Sequence, residues 1–174
     1  MVAKDTSLTG TERTFDKDEF IVSKTNLKGH ITYANDVFIR LGGYTEEETL
    51  GAPHSLIRNP NMPRAVFKLL WDYISAGKEI FAYVVNRSKN GDHYWVLAHV
   101  TPTVDTSGNI IGYHSNRRVP TPQALATIKP LYEKLLAIEN SAPDRKVGME
   151  QSVQALMDIL EENGVTYDQF VLSI

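Results

Sequence analysis

Apolar and polar positions alternate along Phe20-Ile21-Val22-Ser23-Lys24-Thr25 and again, briefly, along His30-Ile31-Thr32-Tyr33-Ala34, with turn residues from Asn26 to Gly29 between them. That period of two predicts a β-hairpin. From Asn35 the period becomes helical: Val37, Phe38 and Leu41 share a face, and Gly42-Gly43 supplies a stop. Thr45 followed by Glu46, Glu47 and Glu48 places a hydroxyl cap and first-turn acids on a second short helix, which ends at Leu50-Gly51. A longer helix opens at Pro63, with Val66, Phe67, Leu70, Trp71 and Ile74 as its apolar stripe, and closes at Gly77. Strands are expected over 80–87, 94–104 and 110–118, joined at Lys89-Asn90-Gly91-Asp92 and Asp105-Thr106-Ser107-Gly108-Asn109. In the first of these turns Asn90-Gly91 is the pair expected at positive φ.

Two strands, short helices and a three-strand meander predict an α+β domain, a five-stranded antiparallel sheet with helices gathered on one face. The chain continues beyond it. Thr121-Pro122 is a helix start, with Ile128, Leu131, Leu135 and Ile138 at helical spacing and Pro130 as a kink. A break is expected from Asn140 to Gly148; a second helix carries Val153, Leu156, Ile159 and Leu160 and stops at Asn163-Gly164. The expected organisation is a polar N-terminal arm or cap over 1–19, with no chemistry of its own, a central domain over 20–118 and a C-terminal helical extension over 119–174. Those helices either pack as extra core or form a surface for a second copy or a partner.

The overall charge narrows the ligand classes. A net charge of −3 and pI near 5.9 argue against nucleic acid, whose phosphates need a concentrated basic face. The charge is uneven: from Tyr132 onward three basic side chains face eight acidic ones, so the tail is the acidic part. With no cysteine there is no disulfide, no thiolate metal site and no cysteinyl photoadduct. Neither an apolar run of transmembrane length nor a signal-peptide pattern is present, so a cytoplasmic protein without direct membrane insertion is expected.

The candidate chemistry lies in two stretches. Pro53-His54-Ser55-Leu56-Ile57-Arg58-Asn59-Pro60-Asn61-Met62-Pro63 holds an arginine and two amides in proline-punctuated backbone, and Asn86-Arg87-Ser88-Lys89-Asn90-Gly91-Asp92-His93-Tyr94-Trp95-Val96 is a basic turn entering an aromatic strand. A cation, amides and apolar faces are what a planar, anionic ligand requires. Arg58 is the candidate cation, Asn35 and Asn86 the amides, and Phe67, Trp71, Tyr83 and Trp95 the aromatic faces. Plain alternatives stand beside these: Trp71 and Trp95 as core residues, Arg58 as a loop anchor.

Ile31-Thr32-Tyr33-Ala34-Asn35, Gly42-Gly43-Tyr44-Thr45-Glu46-Glu47-Glu48-Thr49-Leu50-Gly51 and Asn90-Gly91-Asp92-x-Tyr94-Trp95-Val96 together resemble a PAS domain over Phe20 to Arg118. Within that family the His54–Pro63 run, Lys68-Leu69-Leu70-Trp71, Ala76-Gly77-Lys78 and Asn86-Arg87-x-Lys89-Asn90-Gly91 are most similar to the aerotaxis-receptor subfamily. The resemblance implies noncovalent FAD, with contacts at Arg58, Asn59, Asn61, Trp71 and Asn86, and with Asn35 and His54 on matching positions. Asn59 and Asn61 stand where the subfamily usually has histidine and aspartate, so a negative charge beside the cofactor is lost. Ile80 replaces a frequent tryptophan, whose cover Phe81 or Tyr83 would have to supply.

No nucleophile elbow, phosphate-binding Gly-Lys-Ser/Thr loop, His-Glu-x-x-His helix or carboxylate pair is present, so no enzyme is expected. The implied function is a redox or oxygen sensor of energy taxis, a homodimer reporting to a separate chemoreceptor-like transducer or kinase. The alternatives are a constitutive dimerisation scaffold, a metabolite sensor, and a heme sensor using His54.

Overall fold

The computed structural model describes residues 7–174. Strand β1 (Ile21–Asn26) and strand β2 (Ile31–Ala34) form the first hairpin; helices α1 (Asp36–Gly42) and α2 (Glu46–Thr49), a 3-10 turn (His54–Ile57) and helix α3 (Arg64–Ser75) follow. Strands β3 (Ile80–Arg87), β4 (His93–Val104) and β5 (Ile110–Arg118) then complete an antiparallel sheet in the order β2-β1-β5-β4-β3. Helices α4 (Pro122–Ser141), α5 (Arg145–Glu162) and α6 (Tyr167–Ser173) end the chain. The architecture is the expected α+β one, with β3 and β5 at the boundaries that alternation predicts.

Local chemistry explains the short elements. The Asn35 side chain caps α1 by accepting from Phe38 N–H, and Gly43 ends it in the left-handed region at φ 71°. Thr45 and Glu48 make a reciprocal capping box on α2. The 89–92 turn departs from expectation: Gly91 alone has positive φ. Asn90 stays in ordinary backbone, and its side chain instead accepts from Asp92 N–H and donates to the Asp92 carboxylate.

Alternation assigns the sheet's two faces. Ser23, Val84, Asn86, Ala98, Val100, Tyr113, Ser115 and Arg117 face α1–α3, whereas Tyr83, Trp95 and His99 face the other way. The short helices α1–α3 thus share one face, as expected, and the C-terminal extension reaches the other. Trp95 packs against Tyr132 of α4 with ring centroids 6.0 Å apart, and the Tyr132 hydroxyl donates to the Tyr83 carbonyl. Helix α5 packs against α3, and α6 against β3, so the C-terminal helices wrap the β3 edge.

Two other segments show how the ends of the chain attach. The first six residues of the 1–19 arm lie outside the described residues, but the rest docks on the β3–β4 turn: Thr9 N–H donates to the Gly91 carbonyl (3.1 Å), Arg13 N–H to the His93 carbonyl (2.7 Å), and the Arg13 guanidinium pairs with Asp92 (2.9 Å). Burial of Phe15 against the core accompanies these bonds, which composition alone does not reveal. Helix α5 also starts three residues before Gly148, because Asp144 caps it. Gly148 is a crossing point and not a breaker: a Cβ there would lie 2.6 Å from the Glu139 carbonyl oxygen.

Glu139 ties this appendage to the domain. Pro63 offers α3 no side-chain cap, and the Glu139 carboxylate accepts instead from Ala65 N–H and from Arg64 Nε, both at 2.9 Å. A buried carboxylate at a helix N-terminus satisfies an orphan donor and faces the positive end of the dipole. Glu139→Ala is expected to lower stability by about 2–3 kcal/mol, read as a fall in the urea midpoint, because it strands both donors.

Candidate functional site

Small side chains along the middle of the sheet leave α3 unable to close on its floor. Ser23 pairs with Ser115, which pairs with Val100; one register step away, Arg117 pairs with Ala98, which pairs with Ala82. Above this floor, Phe67, Leu70, Trp71 and Ile74 of α3 and Ile57 of the 3-10 turn form the roof. The result is a cavity of about 250 Å³. Its described lining contains no carboxylate and four basic side chains: Lys28, His54, Arg58 and Arg117.

Arg117 is the deep cation. It is 3% exposed, lies over the Phe38 ring (5.6 Å), and donates through Nη2 to Ser23 Oγ and His54 Nε2, each at 2.7 Å. Its Nη1 is buried with no partner. Burial without a counter-charge lowers its pKa to about 10, so it stays charged at neutral pH. Burial first, and the Arg117 charge second, depress His54 to about 3; the imidazole is neutral and accepts from the guanidinium. Asn86 Nδ2 is the second buried donor without a partner on this lining. A buried cation and amide that the protein itself leaves unsatisfied suit an electron-rich or anionic group.

The mouth is differently built. The Trp71 indole is 40% exposed, meets Tyr113 edge-on at 5.5 Å, and overlies Gly29, whose backbone sits at φ 77°. Arg58 is exposed, its guanidinium 4.2 Å from the centre of the Phe67 ring and free of any ion pair among the described residues. Lys28 lines the same opening.

Of the sequence-derived site residues, the structure brings Arg58, Trp71, Asn86 and His54 together on this cavity. Three others lie elsewhere. Asn35 spends its side chain on Val22 N–H, Phe38 N–H and the Phe20 carbonyl. Asn59 is buried, accepting from Asn61 N–H and donating to the Asn86 carbonyl (3.4 Å), and Asn61 is exposed; both shape the loop and leave the lining to others. The lost aspartate charge at position 61 thus falls outside the cavity. Tyr83, Trp95 and Phe81 point to the opposite sheet face, where Phe81 stacks on His99, so none can supply the ring cover expected of them. Sequence reasoning missed Arg117, Ser23, Ser115, Tyr113 and Lys28. Strand parity in β1 and β5 was the available signal.

Against known proteins, the PAS fold family profile matches residues 31–117, half of the chain, and the chain belongs to that family. It is 43% identical over 120 residues to the aerotaxis receptor of Escherichia coli K12, across 69% of this chain and 24% of the receptor. It is 25% identical over 144 residues to a nitrogen fixation regulatory protein of Klebsiella pneumoniae, across 80% of this chain and 28% of that one. The chain therefore spans about a quarter of these relatives' length. Among solved structures, the dark state of the blue-light photoreceptor Aureochrome1 LOV superposes with a TM-score of 0.55 at 25% identity, over 66% of this chain and 84% of that one. A light-oxygen-voltage domain solved in a flavin-analogue study superposes at 0.56 and 22%, over 66% and 87%.

Two predictions follow from the buried cation. Arg117→Met is expected to stabilise the ligand-free protein by about 1–4 kcal/mol, seen as a raised urea midpoint, since an apolar side chain replaces an uncompensated charge. For His54, the folded pKa lies below that of the unfolded chain, so the unfolded state takes up the proton first as pH falls. Stability from this group is therefore lost between about pH 6.5 and 3, and His54→Gln should flatten that part of the pH–stability curve.

Proposed function

We propose that this chain is a PAS sensor that holds FAD noncovalently and reports redox or oxygen state, as in energy taxis, to a separate signalling partner. The observation that carries this reading is a cavity whose described lining is free of carboxylates and includes Arg117 and Asn86, each with a buried nitrogen that the protein leaves unpaired. The similarity to the aerotaxis receptor supports the cofactor and the stimulus class. A cavity of about 250 Å³ lies below the usual range for a whole ligand, about 300–1,000 Å³, and suits a ring system. Arg117 and Asn86 would meet the polar edge of the isoalloxazine, Phe67, Leu70 and Ile57 its face, and Arg58 and Lys28 the diphosphate at the mouth. When bound, the flavin supplies reversible electron acceptance.

The chain's own residues offer a route for the signal. Asn86 touches the cavity from β3, and its backbone bridges Arg58 and accepts from Asn59. Three residues earlier, the Tyr83 carbonyl accepts from Tyr132 of α4. A shift of β3 that follows a change at Asn86 thus bears on α4, which Glu139 also fastens to α3. The proposed recipient is a chemoreceptor-like transducer or kinase that reads the α4–α6 surface, the chain acting as a cytoplasmic homodimer and not as an enzyme. No helix among the described residues is long and apolar enough to cross a membrane. A heme reading is disfavoured by His54, whose Nε2 already accepts from Arg117.

The purified protein is expected to show two flavin absorption bands that bleach on mild reduction, and to release a chromophore with the mass of FAD. Arg58→Ala and Asn86→Ala should each weaken FAD uptake by about tenfold or more with an unchanged far-ultraviolet circular dichroism spectrum. A Soret band, or a protein that stays colourless after incubation with FAD, would overturn the reading.

A further inference from the structure

We propose that Arg117 is a state-selecting residue, whose guanidinium holds the cavity's ring more tightly when the ring carries negative charge and so raises its reduction potential. The inference rests on the flavin reading above and adds to it a residue outside both sequence stretches that suggested a pocket. Three features single Arg117 out among the four basic side chains of the lining.

The first is isolation. Arg117 is buried; it meets Ser23 Oγ, His54 Nε2 and the Phe38 ring and feels the Tyr94 phenol, whose pKa burial raises, so none of these groups is anionic at neutral pH. A buried cation is ordinarily matched by a carboxylate, and leaving it unmatched costs stability that a bound partner can return. The second is the manner of its support. A neutral imidazole and a hydroxyl fix the direction of Nη2 without cancelling its charge, so the guanidinium keeps its full positive charge while Nη1 stays unpaired. An aspartate in place of His54 would orient the guanidinium equally well but neutralise it. The third is space: Ala98 lies directly opposite Arg117 in the sheet, with Ala82 beyond it.

Reduction changes the charge that this field meets. Two electrons from an external donor, dithionite in the test below, and one proton from water delivered to ring nitrogen N5 convert the neutral oxidised ring to a monoanion with its charge on the N1–C2 carbonyl edge. A fixed cation in a site of low dielectric favours that product over the neutral starting form. The diphosphate is anionic in both states, so the cations at the mouth, Arg58 and Lys28, bear on affinity and not on the difference between states. Arg117 acts on the difference.

The test measures FAD affinity for the oxidised and dithionite-reduced forms, and the two-electron midpoint potential, in the wild-type protein and in Arg117→Met and Arg117→Lys. Arg117→Met is expected to weaken reduced FAD at least tenfold more than oxidised FAD, lowering the potential by about 30 mV or more for the two-electron couple. Arg117→Lys, which keeps the charge, is expected to recover most of the shift. An unchanged potential in Arg117→Met, or equal loss of both forms, would overturn the inference while leaving the flavin reading standing. A wild-type protein that takes up no FAD would overturn both.

Discussion

A guanidinium buried without a counter-charge organises the inner half of this domain. Arg117 is directed by Ser23 from the neighbouring strand and by His54 from the 3-10 turn, so it joins the sheet to the loop that closes over it. Burial first, and this contact second, keep His54 neutral, and Nη1 of the guanidinium is left without a partner. Most buried polar groups in a folded chain find partners, and an unmatched buried charge costs stability that other contacts must offset.

The cavity exists because of the sheet's own composition. Ala82, Ala98, Ser23 and Ser115 give a floor too shallow for the α3 side chains to reach, while Phe38, Ile21, Ile31 and Val96 fill the neighbouring core completely. The roof is fixed from outside: Glu139 supplies the cap that Pro63 cannot, so the position of α3 depends on α4. The cavity and the C-terminal helices are thus linked twice, through α3 and through the Tyr132–Tyr83 bond from β3 to α4. Membership of the PAS family supplies the scaffold, but these two links are particular residues of this chain.

Much of the fold was legible because period and punctuation agree. The strands over 80–87 and 110–118, the capped start of α2 and the Thr121-Pro122 start of α4 follow directly from local chemistry. The site was legible only in part. Arg58, His54, Trp71 and Asn86 could be found because they sit in unusual local sequence, but Asn59 and Asn61 show that a neighbour in sequence need not face the same space. Tyr83 and Trp95 were excluded by information already present, since residues an odd number apart on a strand point to opposite faces. Arg117 was hidden in Asn116-Arg117-Arg118, which reads as a solvated strand end until the parity of β5 is fixed by its partners. Gly148 was misread because a tight helix crossing and a helix break both call for glycine.

The most direct test of the account is a crystal structure of the protein saturated with FAD. The account predicts the isoalloxazine between α3 and the sheet, with Arg117 Nη1 and Asn86 Nδ2 within hydrogen-bonding distance of its polar edge and the diphosphate beside Arg58. A ring bound elsewhere on the surface, or a cavity still without ligand at saturating FAD, would contradict it.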